Sequence, residues 1–318
     1  MFAALFTWDI DPILVDFGAL QIRYYGLWFA ATIYAGLYIW RREAMQRGYS
    51  PIFAEDFLLY GVLGIVLGSR LGHCLFYEPE RYLANPIEIL YFWKGGLASH
   101  GATIGLFFVV WLFGRRNKLK FLRIADMFVP AVAFAAGGVR IGNFFNSEIV
   151  GRAWDGPWAV IFARYDRFAG IEPAIPRHPT ALYEVLMGLF TFALLMFLKS
   201  RKIRRAGSGF YTGVFLISYF SCRFIVEFFK EYQVDKFVAN AKQIATAGEG
   251  LQLTMGQYLS ILPVVVGVFF LVRALKQPID AIPEAVPWSP ELEAERQAEA
   301  AAAVASKSKK SGKRKKKK

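Results

Sequence analysis

Apolar residues gather along this chain into blocks of similar length, parted by short polar connections. Seven blocks stand out, at residues 20–40, 57–77, 97–113, 125–145, 181–198, 209–229 and 258–275. A helix of about 20 apolar residues crosses the ~30 Å hydrocarbon core of a bilayer. The first block can begin earlier, near residue 13, and the third is short. The pattern predicts an all-α polytopic membrane protein with about seven transmembrane helices.

The connections differ in charge, and that difference predicts orientation. Arg41, Arg42 and Arg47 follow the first block; Arg115, Arg116, Lys118, Lys120 and Arg123 follow the third; Lys199, Arg201, Lys202, Arg204 and Arg205 follow the fifth. Cytoplasmic loops are enriched in these two residue types, so these connections and the C-terminus are expected inside and the N-terminus outside. The alternate connections, 78–96, 146–180 and 230–257, mix both signs with aromatics. The longest, at about 146–180, is expected to form a small extracytoplasmic cap, with Trp154 and Trp158 suited to the headgroup level. Residues 1–276 then make one integral membrane domain. From residue 277 the chain turns to Pro, Glu and Ala and ends in SKSKKSGKRKKKK, which cannot build a core. Residues 277–318 read as a disordered cytoplasmic tail.

Composition agrees with a membrane protein. The chain is 55% hydrophobic with a mean hydropathy of +0.34, above the roughly 45–50% apolar share of soluble domains. Its net charge of +13 would suit nucleic acid, but nine of the basic residues fall within 307–318 and most others in the short connections. Membrane topology and anionic lipid account for that distribution better. Asp9, Asp11 and Asp16 precede the first long block, so no cleaved secretory signal is expected. Cys74 and Cys222 both lie in apolar blocks and read as small core residues. Without an HExxH or a Cys/His grouping, no metal or other cofactor is expected.

The candidate chemistry centres on GGVRIGNFFNSEIVGR, residues 137–152, where a span-length block carries Arg140, Asn143, Asn146 and Glu148 near one end. Ionisable groups at such depth cost several kcal/mol unless paired, which marks them as functional candidates. Gly138 and Gly142 allow a neighbouring helix close approach. Arg140 and Asn143, three apart, share a helix face and offer a guanidinium fork beside an amide, which suits an anionic oxygen. Binding to backbone carbonyls or a neighbouring acid is the plainer role. Arg70 and Arg223 repeat the anomaly. Arg223 and Glu227 are spaced for an intrahelical pair, whereas Arg70, like Arg140, has no acid within a turn and so suits a phosphate. His100, among small residues at the start of the third block, can move a proton near neutral pH. His73 can orient Arg70, and His178 precedes the fifth block.

The central stretch, together with SHGATIG, RYYGLWF, RHPTALYE, RFIVEFFK and TMGQYLS, resembles the bacterial prolipoprotein diacylglyceryl transferases, in order from about Tyr24 to Ser260. The resemblance implies an enzyme of the bacterial cytoplasmic membrane and the first step of lipoprotein maturation. Its substrates would be phosphatidylglycerol and the lipobox cysteine of a prelipoprotein. Transfer of the diacylglyceryl group would form a thioether and release glycerol phosphate. By motif, His100 would be the base, Arg140 and Arg223 would hold the phosphate, and Asn143, Asn146, Glu148 and Gly151 would shape the pocket. Tyr25 matches a family tyrosine near the substrate. The chain departs from the family pattern at Lys230, often arginine, at Ala102, often glycine, and at Ala181, often glutamine. A transporter of an anionic solute and a noncatalytic scaffold are the rival classes that intramembrane arginines also fit.

Overall fold

The computed structural model describes residues 5–18, 21–91, 96, 98–231, 253–279, 282 and 284–299. Strands β1 (Phe6–Trp8), β2 (Ile13–Asp16) and β3 (Gln21–Arg23) lead into α1 (Tyr24–Met45), α2 (Pro51–Phe76), the short α3 (Pro79–Ala84), a 3-10 turn (Pro86–Leu90), α4 (Ser99–Arg116) and α5 (Phe121–Phe145). Next come β4 (Val160–Phe162), α6 (Ala163–Ala169), β5 (Pro176–Arg177), α7 (Thr180–Ser200), α8 (Phe210–Val226) with a 3-10 turn (Glu227–Phe229), and α9 (Met255–Lys276). Among the described residues, five helices are long and apolar enough to cross a membrane: Pro51–Phe76, Phe121–Phe145, Thr180–Ser200, Phe210–Phe229 and Met255–Lys276. The other two expected spans are helices as well. α4 has only 18 residues, so any span-length window takes in His100, Arg115 and Arg116. α1 is diluted by tyrosines and by Arg41 and Arg42.

Contacts divide the chain into two units, residues 1–39 with 120–282 and residues 40–119 with 283–318. In the first, α5 packs on α7, and α8 on α7 and α9. The start of α8 is fixed by Asp126, a fully buried carboxylate on α5. It accepts from the amides of Gly207, Gly209 and Thr212 at 2.8–2.9 Å and from Thr212 Oγ1 at 2.6 Å. The unpaired amides of a helix N-terminus attract such an anion. α9 begins with a capping box between Thr254 and Gln257. The same unit holds a small sheet in which β4 pairs in parallel with β1 and antiparallel with β5. Phe144, Val150, Val160, Phe162 and Ala181 form its core. Strands therefore join a fold expected to be wholly helical, because residues 146–180 bury apolar side chains at alternate positions of a short extended run.

In the second unit α2 packs on α4. Ser50 caps α2 through the Phe53 amide, with Pro51 at the first helical position. Leu59, Leu63, Leu67 and Leu71 are exposed every fourth residue along α2, an apolar stripe of the kind that suits lipid. The expected disordered tail is partly ordered. Residues 290–299 are helical, the Trp288 amide donates to the Met45 carbonyl at 2.7 Å, and Arg296 donates to the Gly48 carbonyl at 2.6 Å. Backbone carbonyls at and just past the end of α1 supply acceptors that composition alone does not reveal. Residues 300–318 lie outside the described part.

Candidate active site

α5 ends in the residues that the sequence singles out. Small residues let α1 come close: a Cβ on Gly138 would lie 2.5 Å from Thr32 Oγ1, and one on Gly142 would lie 2.8 Å from the Tyr25 ring. Tyr25 is thus seated on the signature helix. Beyond Phe145 the chain makes a tight turn, with Ser147 and Ile149 at φ 54° and 55°. A β-branched residue in that region is strained by ~1–3 kcal/mol, a cost often found at functional sites. The turn is held by Glu148 N to Asn143 O at 2.9 Å and Thr180 Oγ1 to Ile149 O at 2.5 Å. Inside it, Asn143 Nδ2 and Asn146 Nδ2 donate to the two oxygens of Glu148 at 2.7 and 3.1 Å. Arg140 donates to Asn143 Oδ1 at 3.3 Å, as their spacing predicts.

Arg140 also finds an acid, on another helix. Glu184 of α7 is fully buried, and its Oε2 lies 2.6 Å from Arg140 Nε. The pair is ionic but not aligned as a hydrogen bond. Glu184 Oε1 is approached by Lys230 Nζ at 3.1 Å and by Arg223 Nη1 at 3.9 Å. Three cations therefore converge on one buried carboxylate. The pair expected between Arg223 and Glu227 gives way to two others: Glu227 contacts Lys230, three residues on, at 3.3 Å, and Arg223 faces Glu184 across the helix interface. Glu227 itself stays on the helical line, its amide donating to the Arg223 carbonyl, and the 3-10 turn that follows brings Lys230 to its carboxylate. Among the described residues Arg223 makes no hydrogen bond, which leaves its five N–H donors available. A cavity of about 250 Å³ opens beside Glu227 and Lys230, with Thr254, Gly256 and Glu231 in its wall.

Lys230 is placed by the signature turn itself. Arg152 N donates to Phe229 O at 2.9 Å and Glu231 N to Val150 O at 3.2 Å, zipping the two segments together. Gly151 lies inside this zipper, where a Cβ would stand 2.5 Å from the His178 carbonyl and 2.8 Å from that of Phe229. Its position explains a glycine without any contact to substrate. Arg177, 2% exposed, closes the far side. It bridges Asp166 at 2.7 Å and Glu231 at 2.6 Å. Burial, and then the neighbouring Glu231 carboxylate, push Tyr165 up to about 12. His178 stacks on Trp154 at 4.3 Å and shares a 3.0 Å hydrogen bond with Tyr183 Oη. Burial lowers its pKa below the usual histidine value. Trp154 is engaged by that ring, whereas Trp158 is exposed.

The remaining candidates belong to the second unit. His100 is exposed in the first turn of α4. Arg70 is 5% exposed, and its guanidinium donates to the carbonyls of Glu88, Ile89 and Gly96. The acceptors missing from its own helix are supplied by the backbone of the next connection. His73 faces Glu78 at 3.4 Å.

Against known proteins, the family model described as prolipoprotein diacylglyceryl transferase matches residues 12–273. The chain belongs to the prolipoprotein diacylglyceryl transferase family. Relatives named phosphatidylglycerol–prolipoprotein diacylglyceryl transferase include one from Tolumonas auensis, 38% identical over 271 residues, 85% of this chain and 98% of that protein. One from Porphyromonas gingivalis is 39% identical over 281 residues, 87% and 97% of the two chains. The prolipoprotein diacylglyceryl transferase match takes in every residue of the Glu184 cluster and ends before the segment 284–299. Within that match Glu184 is the residue that sequence reasoning missed. It stands in RHPTALYE, where no partner within a turn along the sequence distinguishes it from an ordinary helical acid.

Proposed function

We infer that this chain transfers the diacylglyceryl group of phosphatidylglycerol to the cysteine thiol of a prolipoprotein. The thiol sulfur forms a bond to the glycerol C3 carbon, the bond from that carbon to the phosphate oxygen breaks, and glycerol phosphate leaves with the electron pair. The thiol proton goes to a base. The observation that carries this reading is the trio Arg140, Arg223 and Lys230 around buried Glu184, with the Arg223 donors unspent. Such a trio holds a phosphate through charge-assisted hydrogen bonds and stabilises the charge that grows on it as it departs. Glu184 keeps the guanidinium groups fixed before substrate arrives, so little reorganisation is needed. His100 takes the role of thiol base. A free thiol has a pKa of about 8.5, so a base raises the thiolate fraction at neutral pH. Asn143, Asn146 and Glu148 shape the turn beside Arg140.

The basic connections support a cytoplasmic C-terminus and an N-terminus outside. With α1 and α4 counted, the chain would span the bacterial cytoplasmic membrane seven times, with residues 146–180 as an outward cap. Mass spectrometry of a lipobox peptide incubated with the purified protein and phosphatidylglycerol tests the activity. A thioether-linked diacylglyceryl adduct is expected from the wild type and not from Arg140→Ala. No adduct from a folded wild type would overturn the reading.

A further inference from the structure

An arginine within an apolar helix must find acceptors, and Arg70 finds them in one connection. Its Nη2 donates to Glu88 O at 2.6 Å, its Nε to Ile89 O at 2.9 Å and its Nη1 to Gly96 O at 3.2 Å. The guanidinium also lies 5.0 Å from the centre of the Tyr82 ring. Its planar fork is matched to backbone, with little left to offer a lipid phosphate. Gly96 must be glycine for this arrangement. Its φ is 73°, and a Cβ would lie 2.6 Å from the His73 ring and 2.8 Å from Arg70 Nη1.

The hold continues stepwise toward His100. The Ala98 amide donates to the carbonyl of Ser69, the neighbour of Arg70, at 2.9 Å. Gly101 then meets Gly68 so closely that a Cβ would fall 2.2 Å from the Gly68 carbonyl oxygen. Residues 70, 69 and 68 of α2 thus grip residues 96, 98 and 101 in succession. His100 lies within the gripped stretch, and Arg70 supplies the first of the three holds.

We propose that Arg70 is a positioning residue that fixes the backbone presenting His100, and does not contact the lipid phosphate. The proposal rests on His100 acting as the thiol base. Misplacing a reacting group by about 1 Å can cost ~100-fold in rate. Lysine keeps the charge of Arg70 but cannot bond three carbonyls in a fixed plane.

The test uses the full chain reconstituted with phosphatidylglycerol and a lipobox peptide. Arg70→Lys should lower kcat by roughly 10- to 100-fold and leave KM for phosphatidylglycerol within about twofold. Gly96→Ala, which keeps the arginine but crowds its hold on residue 96, should reproduce that split. Adding Arg70→Lys to His100→Gln should cause no further loss, because the first acts through the second. A raised KM with kcat intact would make Arg70 a phosphate ligand and overturn the proposal. So would a double variant slower than His100→Gln by the full factor of Arg70→Lys. If His100→Gln alone keeps the wild-type rate, the base assignment fails, and hydrogen exchange then judges the clamp separately. Faster exchange at Gly96 and Ala98 in Arg70→Lys, with α5 and α7 unchanged, retains the clamp; unchanged exchange at those amides removes it.

Discussion

Glu184 shows how one side chain can organise several others. A buried carboxylate without a partner is costly, and here its charge is balanced by Arg140, Lys230 and, more distantly, Arg223. Removing one partner of such a group costs more than the pair contributes, because the opposite charge is left uncompensated. Glu184→Ala is expected to destabilise the protein by roughly 3 kcal/mol and to abolish most transfer. Glu184→Gln should keep more stability than activity, since an amide fills the space but does not hold two guanidinium groups. Thermal unfolding and adduct yield, measured on the same preparations, check both; equal loss in the two variants would reduce Glu184 to a packing residue. The sequence made Arg140, Asn143 and Glu148 legible because they lie within two turns of each other. It hid Glu184, whose partners come from α5, α8 and the turn after α8.

At the scale of elements, helix starts and the small sheet depend on a few buried polar contacts. Asp126 collects three amides and a hydroxyl at the start of α8. Asp126→Ala should therefore cost about 2–4 kcal/mol, and Asp126→Asn distinctly less, as read by unfolding in mild detergent with denaturant. If both variants unfold with the wild type, the cap is dispensable. The sheet carries a pH dependence through His178, whose pKa burial lowers. The folded state then favours the neutral ring. Stability from this residue is complete above the unfolded value of about 6.5 and is lost as pH falls through the lower folded value. Hydrogen exchange around residues 150–178 should accelerate on acidification across that window, and His178→Asn should flatten the response. A profile identical in the two proteins would place the titrating group elsewhere.

For the whole molecule, the family match ends at residue 273, yet residues 284–299 lie beyond it and make contacts to Met45 and Gly48. A chain ending at residue 299 should keep both stability and transfer. One ending at residue 282 loses those two hydrogen bonds, worth about 1 kcal/mol each, and should melt a few degrees lower with little change in kcat. Transfer rates that fall with either truncation would give the tail a catalytic role.

Periodicity and composition determined by themselves that the chain is a set of membrane-length helices, because lipid demands long apolar runs whatever their partners. The ordered motifs determined the family in the same local way. Tertiary structure alone decided which charges meet: Arg70 with the carbonyls of residues 88, 89 and 96, and Arg140, Arg223 and Lys230 with Glu184. Pairing inside a membrane follows proximity across helices, and a linear sequence records only proximity along them.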